Sequence, residues 1–155
     1  WSSDVCSSDL ADTGKFRKFK TAVREGIDRP MLERVAPFGT VLRDVYMELR
    51  DGGNTFGRQL GSYPLIVGIP YPVRTESFTD VVVTGWGFRS LTGVECPFKV
   101  NRAPLAALEA LPGIGRKRAA AIAAGRPYGN MADLLETLDG FQGFGALGDA
   151  LSFDP

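Results

Sequence analysis

The apolar positions of this chain change period twice, and each change marks a different kind of element. From Lys15 to Arg24 the run KFRKFKTAVR places Phe16, Phe19 and Val23 on one face of a helix, with five basic residues and no acid around them. A basic amphipathic helix follows, either a solvated helix that packs on an upstream domain or a direct nucleic-acid contact, and Pro30 and Pro37 are expected to interrupt it, so that residues 11–38 read as helix plus linker. From Gly39 the pattern becomes short apolar runs cut by glycine and proline, VLRDVYMEL, PLIVGIP, DVVVTGWGF and RSLTGVECP. Rich in β-branched and aromatic residues, these predict four or five strands, with Asp51-Gly52-Gly53-Asn54 as a turn after the first. Leu42, Val45, Tyr46 and Leu49 also recur at helical spacing, but the short run and the flanking Gly39 and Gly52 favour strand. So many strands in so short a stretch bury little as a flat sheet, and closure into a small barrel over residues 39–98 is the expected solution.

From Lys99 the period returns to that of a helix. Leu105, Leu108 and Leu111 recur every three residues on a first helix starting near Pro104, with Asn101 or its successors placed to cap the entry. Pro112-Gly113-Ile114-Gly115 stops that helix and turns the chain, and a second helix from about Arg116 to Ala124 presents Ala119 and Ile122. Small Ala119 lets the helices approach, and Ile114 plugs the space between them. The stretch from Gly140 is glycine-rich, with Phe141, Phe144, Leu147 and Leu151 available either to cover the helices or to form an incomplete second hairpin. The fold class is therefore α+β: a small β-barrel followed by a helical bundle over residues 99–155.

Composition narrows the chemistry. The 155 residues balance 18 Lys+Arg against 18 Asp+Glu and contain no histidine, which removes the usual general base and the commonest metal ligand. Cys6 and Cys96 alone cannot complete a thiolate metal or iron–sulfur site. Trp1–Leu10, WSSDVCSSDL, has no apolar period and resembles the translation of a widely used short-read sequencing adapter; it is set aside, which implies a C-terminal piece of a longer protein. Without it 18 bases face 16 acids and one cysteine remains; with no apolar run of membrane-spanning length, the expectation is a soluble cytoplasmic protein. The near-neutral total conceals opposed patches, since residues 99–126 hold six bases and one acid, and residues 127–155 hold five acids and no base.

The base-rich patch has a specific arrangement. Glycines leave the backbone uncovered at the start of the second helix, so the amides around Gly113, Ile114, Gly115 and Arg116 can donate to a phosphate. Arg116, Lys117 and Arg118 occupy that helix's first turn, where the dipole disfavours cations by about 0.3–1 kcal/mol each. A bound anion reverses the sign.

The barrel segment resembles a TRAM domain in Gly39-Thr40, the run ending in Glu48, Gly57-Arg58, LIVGIP, DVVVTG and Leu91-Thr92-Gly93. That resemblance implies an OB-like barrel of the kind found in tRNA-modifying enzymes, with Arg58 and Arg89 as phosphate contacts. Phe56, Tyr63, Trp86 and Phe88 then serve either as stacking surfaces or as filling for the barrel and its mouth. The segment from Lys99 resembles the helix–hairpin–helix family in Leu-Pro-Gly-Ile-Gly, three variable residues, Ala, two more, Ile, with Asn101-Arg102-Ala103 before and Pro127-Tyr128 and Asp133-Leu134 after. Members of that family hold the DNA or RNA backbone without reading bases. The order of basic segment, barrel and hairpin, with RKFKTAVREGIDRPML and TFGRQLGSYPLIVGIP, resembles the C-terminal end of a group of radical SAM proteins. Their chemistry uses a CxxxCxxC triplet, a 4Fe–4S cluster and S-adenosylmethionine, and no such triplet occurs here.

The expectation is thus sequence-independent binding of RNA or DNA backbone, with no catalytic site or cofactor in this stretch and an upstream catalytic domain as partner. A stand-alone DNA-binding or repair accessory protein and a structural docking module without nucleic acid are the alternatives. No membrane partner is expected.

Overall fold

A computed structural model describes residues 13–154; the adapter-like decapeptide lies outside them. The N-terminal helix is longer than its prolines suggest. It runs as α1 (Thr13–Val23), a π-helical turn (Arg24–Asp28) and α2 (Arg29–Val35), so the linker expected before residue 38 is helical instead. The Arg29 N–H bonds to the Arg24 carbonyl, five residues back. This widened turn relieves Pro30, which lacks an N–H and whose ring crowds the preceding turn. Pro37 does end the helix, one residue after the buried Ala36, whose carbonyl accepts the Trp86 indole N–H at 2.8 Å.

Five strands follow: β1 (Val41–Asp51), β2 (Asn54–Gln59), β3 (Ile66–Ile69), β4 (Ser77–Trp86) and β5 (Ser90–Cys96). They close into a barrel in the order β1-β2-β3-β5-β4, with β3 and β5 parallel and the remaining pairs antiparallel. The ambiguity over residues 41–49 is resolved by period: Val45 and Met47 are both fully buried, two residues apart, as one face of a strand. Val67, Ile69, Val81, Val83, Leu91 and Val94 complete the interior. A bulge bends β1 at Asp44, whose amide is held by Asp80 Oδ1 at 3.0 Å while Arg43 bonds Asp80 Oδ2 at 2.7 Å. The Asp44 amide, first, and then Arg43 hold the Asp80 carboxyl below its ordinary value.

The barrel end facing the C-terminal part is closed by buried polar contacts. Thr55 accepts the Val73 N–H and donates to the Tyr71 carbonyl, and the Tyr71 hydroxyl accepts the Glu95 N–H at 3.1 Å. Burial pushes the Tyr71 phenol well above its ordinary value and also raises Glu95.

After the barrel come β6 (Phe98–Lys99), α3 (Leu105–Glu109), α4 (Arg116–Ala124), α5 (Met131–Thr137), a 3₁₀ turn (Gly145–Ala150) and β7 (Leu151–Ser152), which pairs in parallel with β6. Leu108, Leu111, Ile114, Ala119, Ile122, Leu134, Leu147 and Ala150 pack in the apolar core that continues from the barrel. Leu105, expected on the same face as Leu108, is instead exposed; α3 is a short helix and Ala107 takes the inward place. Asn101 does not cap α3, which starts from Pro104 without a side-chain cap. Its amide group donates to the Tyr128 and Phe153 carbonyls at 2.9 and 2.7 Å and accepts the Tyr128 N–H at 2.8 Å, tying three segments together.

Candidate nucleic-acid interface

The turn between α3 and α4 is set by two glycines with different duties. Gly113 has φ +74°, and a Cβ there would lie 2.7 Å from Phe141 Cζ, so this glycine is required by the fold. Gly115 has φ −81°, an ordinary value for any residue, and a Cβ there would meet nothing within 4 Å. Internal packing thus gives no reason for glycine at 115. It is the N-cap of α4 and makes no side-chain cap, and the first bond of the helix runs from the Ala119 N–H to the Gly115 carbonyl. The amides of Arg116, Lys117 and Arg118 are therefore the orphan donors of a helix start, with no acid in that turn.

These three residues and Gly115 line an open groove of about 640 Å³ whose other wall is Thr137, Leu138, Asp139 and Phe141. Arg116 and Lys117 are exposed. Arg118 is already engaged: it donates to the Gly113 carbonyl at 2.9 Å and its guanidinium lies 4.8 Å over the Phe141 ring. It braces the turn as well as charging it. Ile114 is 2% exposed and its amide bonds the Leu111 carbonyl at 3.0 Å, so it is the expected plug and, contrary to its inclusion among the contact residues, offers neither side chain nor amide to a ligand.

A second turn of the same make opens the stretch from Gly140, where an incomplete second hairpin is one of the two expectations. Gly140 has φ +71° and the Phe141 N–H bonds the Leu138 carbonyl, as Ile114 bonds Leu111. Leu-x-Gly followed by an apolar residue recurs at Leu111 and Leu138, and that spacing is the signal that identifies it. The second turn carries Asp139 where the first carries Pro112, so it presents a carboxylate rather than cations.

Arg58 and Arg89 lie away from this groove, together, in a cleft of about 480 Å³ on the barrel lined also by Arg24, Glu48, Phe56 and Phe88. Neither is free. Arg89 Nε bonds Asp28 Oδ2 at 3.1 Å, and Arg58 Nε lies 2.9 Å from Glu48 Oε1 as an ion pair whose N–H is not aligned for a hydrogen bond. The Arg24 guanidinium sits 5.6 Å over Phe88. Of the aromatics, Trp86 is committed to Ala36, whereas Phe88 and Tyr63 are exposed and Phe56 is half-buried in the cleft. Arg24 was not expected here because the π-turn that aims it at Phe88 is invisible in the residue pattern.

Among the described residues no group of three or more His, Cys, Asp or Glu side chains stands ready to hold a metal, and no helix is long and apolar enough to cross a membrane. Cys96 is a free thiol whose ionisation burial pushes up.

No protein-family model matches the chain, and no solved structure matches it. Two curated proteins do. An uncharacterized protein of Methanocaldococcus jannaschii is 45% identical over 97 residues, covering 59% of this chain and 18% of its own length. An uncharacterized protein of Archaeoglobus fulgidus is 38% identical over 121 residues, covering 77% of this chain and 22% of its own length. The chain therefore spans about a fifth of the length of the curated relatives it matches.

Proposed function

We propose that this chain holds RNA or DNA by its phosphodiester backbone, without base recognition, at the α3–α4 turn. The observation that carries this reading is the coincidence, at one helix start, of an N-cap glycine with open space where a Cβ would stand, three orphan amides and exposed cations in a position the helix dipole disfavours. Phosphate oxygens meet all three needs at once. The helix–hairpin–helix resemblance supports the same role. The barrel order, with its parallel β3–β5 pair, is that of an OB-type barrel and supports the TRAM resemblance.

The barrel cleft adds a second contact through Arg58 and Arg89, with Phe56 and Phe88 as stacking surfaces. Asp28 and Glu48 stand where phosphate oxygens would lie, so a strand entering the cleft displaces them. Replacing Asp28 by Asn is expected to raise affinity for single-stranded RNA about 3- to 10-fold, measured by fluorescence anisotropy, because an anionic competitor becomes neutral. Unchanged or weakened binding counts against the cleft.

Catalysis belongs, in this reading, to the remainder of a longer cytoplasmic polypeptide of radical SAM type. Among the described residues no group of three or more His, Cys, Asp or Glu side chains stands together that could hold a metal ion. The four fifths of each relative's length outside the match leaves room for such a unit.

Gly115→Ala separates function from fold. With no atom within 4 Å of the new Cβ, only the N-cap preference for glycine over alanine is lost, and the melting temperature is expected to fall by no more than about 4 °C. Nucleic-acid affinity falls about 5- to 10-fold because the methyl stands in the approach to the amides. An unchanged affinity would remove the glycine argument.

A further inference from the structure

The N-terminal helix carries two adjacent stripes, at four-residue intervals from Phe19 onward. Arg24, Asp28, Leu32 and Ala36 form the one that meets the barrel: Arg24 lies over Phe88, Asp28 bonds Arg89, and Leu32 and Ala36 are buried. Beside it run Phe16, Phe19, Val23, Ile27, Met31 and Val35. Phe16, Phe19, Ile27, Met31 and Val35 are all exposed, Phe19 and Val35 by about two thirds, and α1 buries no residue. In an uninterrupted α-helix a four-residue repeat drifts about 40° per step. The π-turn at Arg24–Asp28 takes more residues per turn and reverses part of that drift, so the stripe stays on one side for roughly 28 Å. A continuous apolar stripe of this length is a contact surface.

We propose that a second copy of this chain covers it, the two helices packing antiparallel about a two-fold axis beside Glu25 and Gly26. Antiparallel pairing about that point sets Phe16 against Val35, Phe19 against Met31 and Val23 against Ile27, matching the bulky aromatic end of one helix to the smaller aliphatic end of the other. Charge selects the same direction. Residues 15–24 hold five bases and no acid, whereas residues 25–35 hold three acids, Glu25, Asp28 and Glu33, against two bases, Arg29 and Arg34, with Glu33 paired to Arg29 and Asp28 to Arg89. Parallel pairing would set the two cationic halves side by side; antiparallel pairing sets each against a half that is close to neutral, and so avoids that repulsion. At the axis Gly26 has open space where a Cβ would be, which lets the backbones approach closely. Each copy presents the same surface, as a closed two-fold contact requires. The apolar stripe shares no residue with the α4 groove or the barrel cleft.

The test uses the full chain. Light scattering and sedimentation at about 10–100 μM are expected to give a dimer, and Phe19→Asp, at an exposed position outside the core, is expected to weaken it about 100-fold or more with an unchanged circular-dichroism spectrum. Gly26→Cys is expected to form a disulfide-linked dimer under a mild thiol oxidant. Gly61→Cys, equally open but on the β2–β3 loop, should stay at the baseline set by the native cysteines. A wild-type chain that is monomeric at 100 μM, as it would be if the stripe served another partner, overturns the proposal. So does a dimer that survives Phe19→Asp, or equal cross-linking at positions 26 and 61.

Discussion

Reversing Arg116 and Lys117 together to Glu is expected to weaken binding to mixed-sequence RNA or duplex DNA by about 100-fold at 50 mM salt. The fold should be untouched. Both side chains are exposed, and acids in the first turn of α4 suit the helix dipole better than the native cations do, so stability should hold or rise slightly. Arg118 is left in place because its bond to the Gly113 carbonyl and its stacking on Phe141 make it part of the turn's support. Losing two phosphate contacts should also reduce the steepness of the salt dependence by about 2 in the log–log slope on duplex DNA. A variant that binds as tightly as the parent, with the same salt slope, would show that the α4 start is not the contact.

Asn101→Ala is expected to produce the largest loss of stability of the substitutions considered. One side chain makes three hydrogen bonds, two as donor to Tyr128 and Phe153 and one as acceptor from Tyr128, within a partly buried junction. Truncation leaves two carbonyls and an amide without partners, at about 1–3 kcal/mol each where water cannot replace the bond, and about 3 kcal/mol in all once water reaches some of them. That corresponds to a fall of about 6–12 °C in melting temperature for a chain of this size. The loss should spread to the α3–α4 region, because Tyr128 also bonds the Ile122 carbonyl through its hydroxyl at 3.0 Å. Thermal unfolding by circular dichroism, with hydrogen exchange at the α4 amides, checks both parts. A melt within about 2 °C of the parent would mean that water takes over all three bonds.

The elements were legible wherever local period and turn chemistry agreed. Asp51-Gly52-Gly53-Asn54 between apolar runs marked the β1–β2 hairpin, and Pro112–Gly115 before a run with Ala119 and Ile122 marked α4 to the residue. What stayed hidden depends on contacts distant in the chain or on unusual backbone. Pro30 looked like a helix breaker because only the π-turn, absent from any residue pattern, makes room for it. Arg58 and Arg89 looked like free cations because Glu48 and Asp28 reach them only after the barrel closes and the helix folds against it. Asn101 looked like a cap because its partners, Tyr128 and Phe153, lie far along the chain. The candidate groove was half visible: Gly115 to Arg118 could be read, whereas its facing wall of Thr137 to Phe141 comes from a second turn that carries none of the first turn's basic residues.

Binding to the nucleic-acid backbone would show itself first in the salt dependence of the unmodified chain's affinity. Anisotropy titrations with two unrelated 20-nucleotide RNA sequences and their duplex DNA counterparts, from 50 to 200 mM salt, should give dissociation constants that differ little between sequences. Affinity should fall with a log–log slope of about −3 to −6, as a handful of phosphate contacts requires. Absence of binding at 50 mM salt, or affinity that depends on sequence and not on salt, would contradict the account.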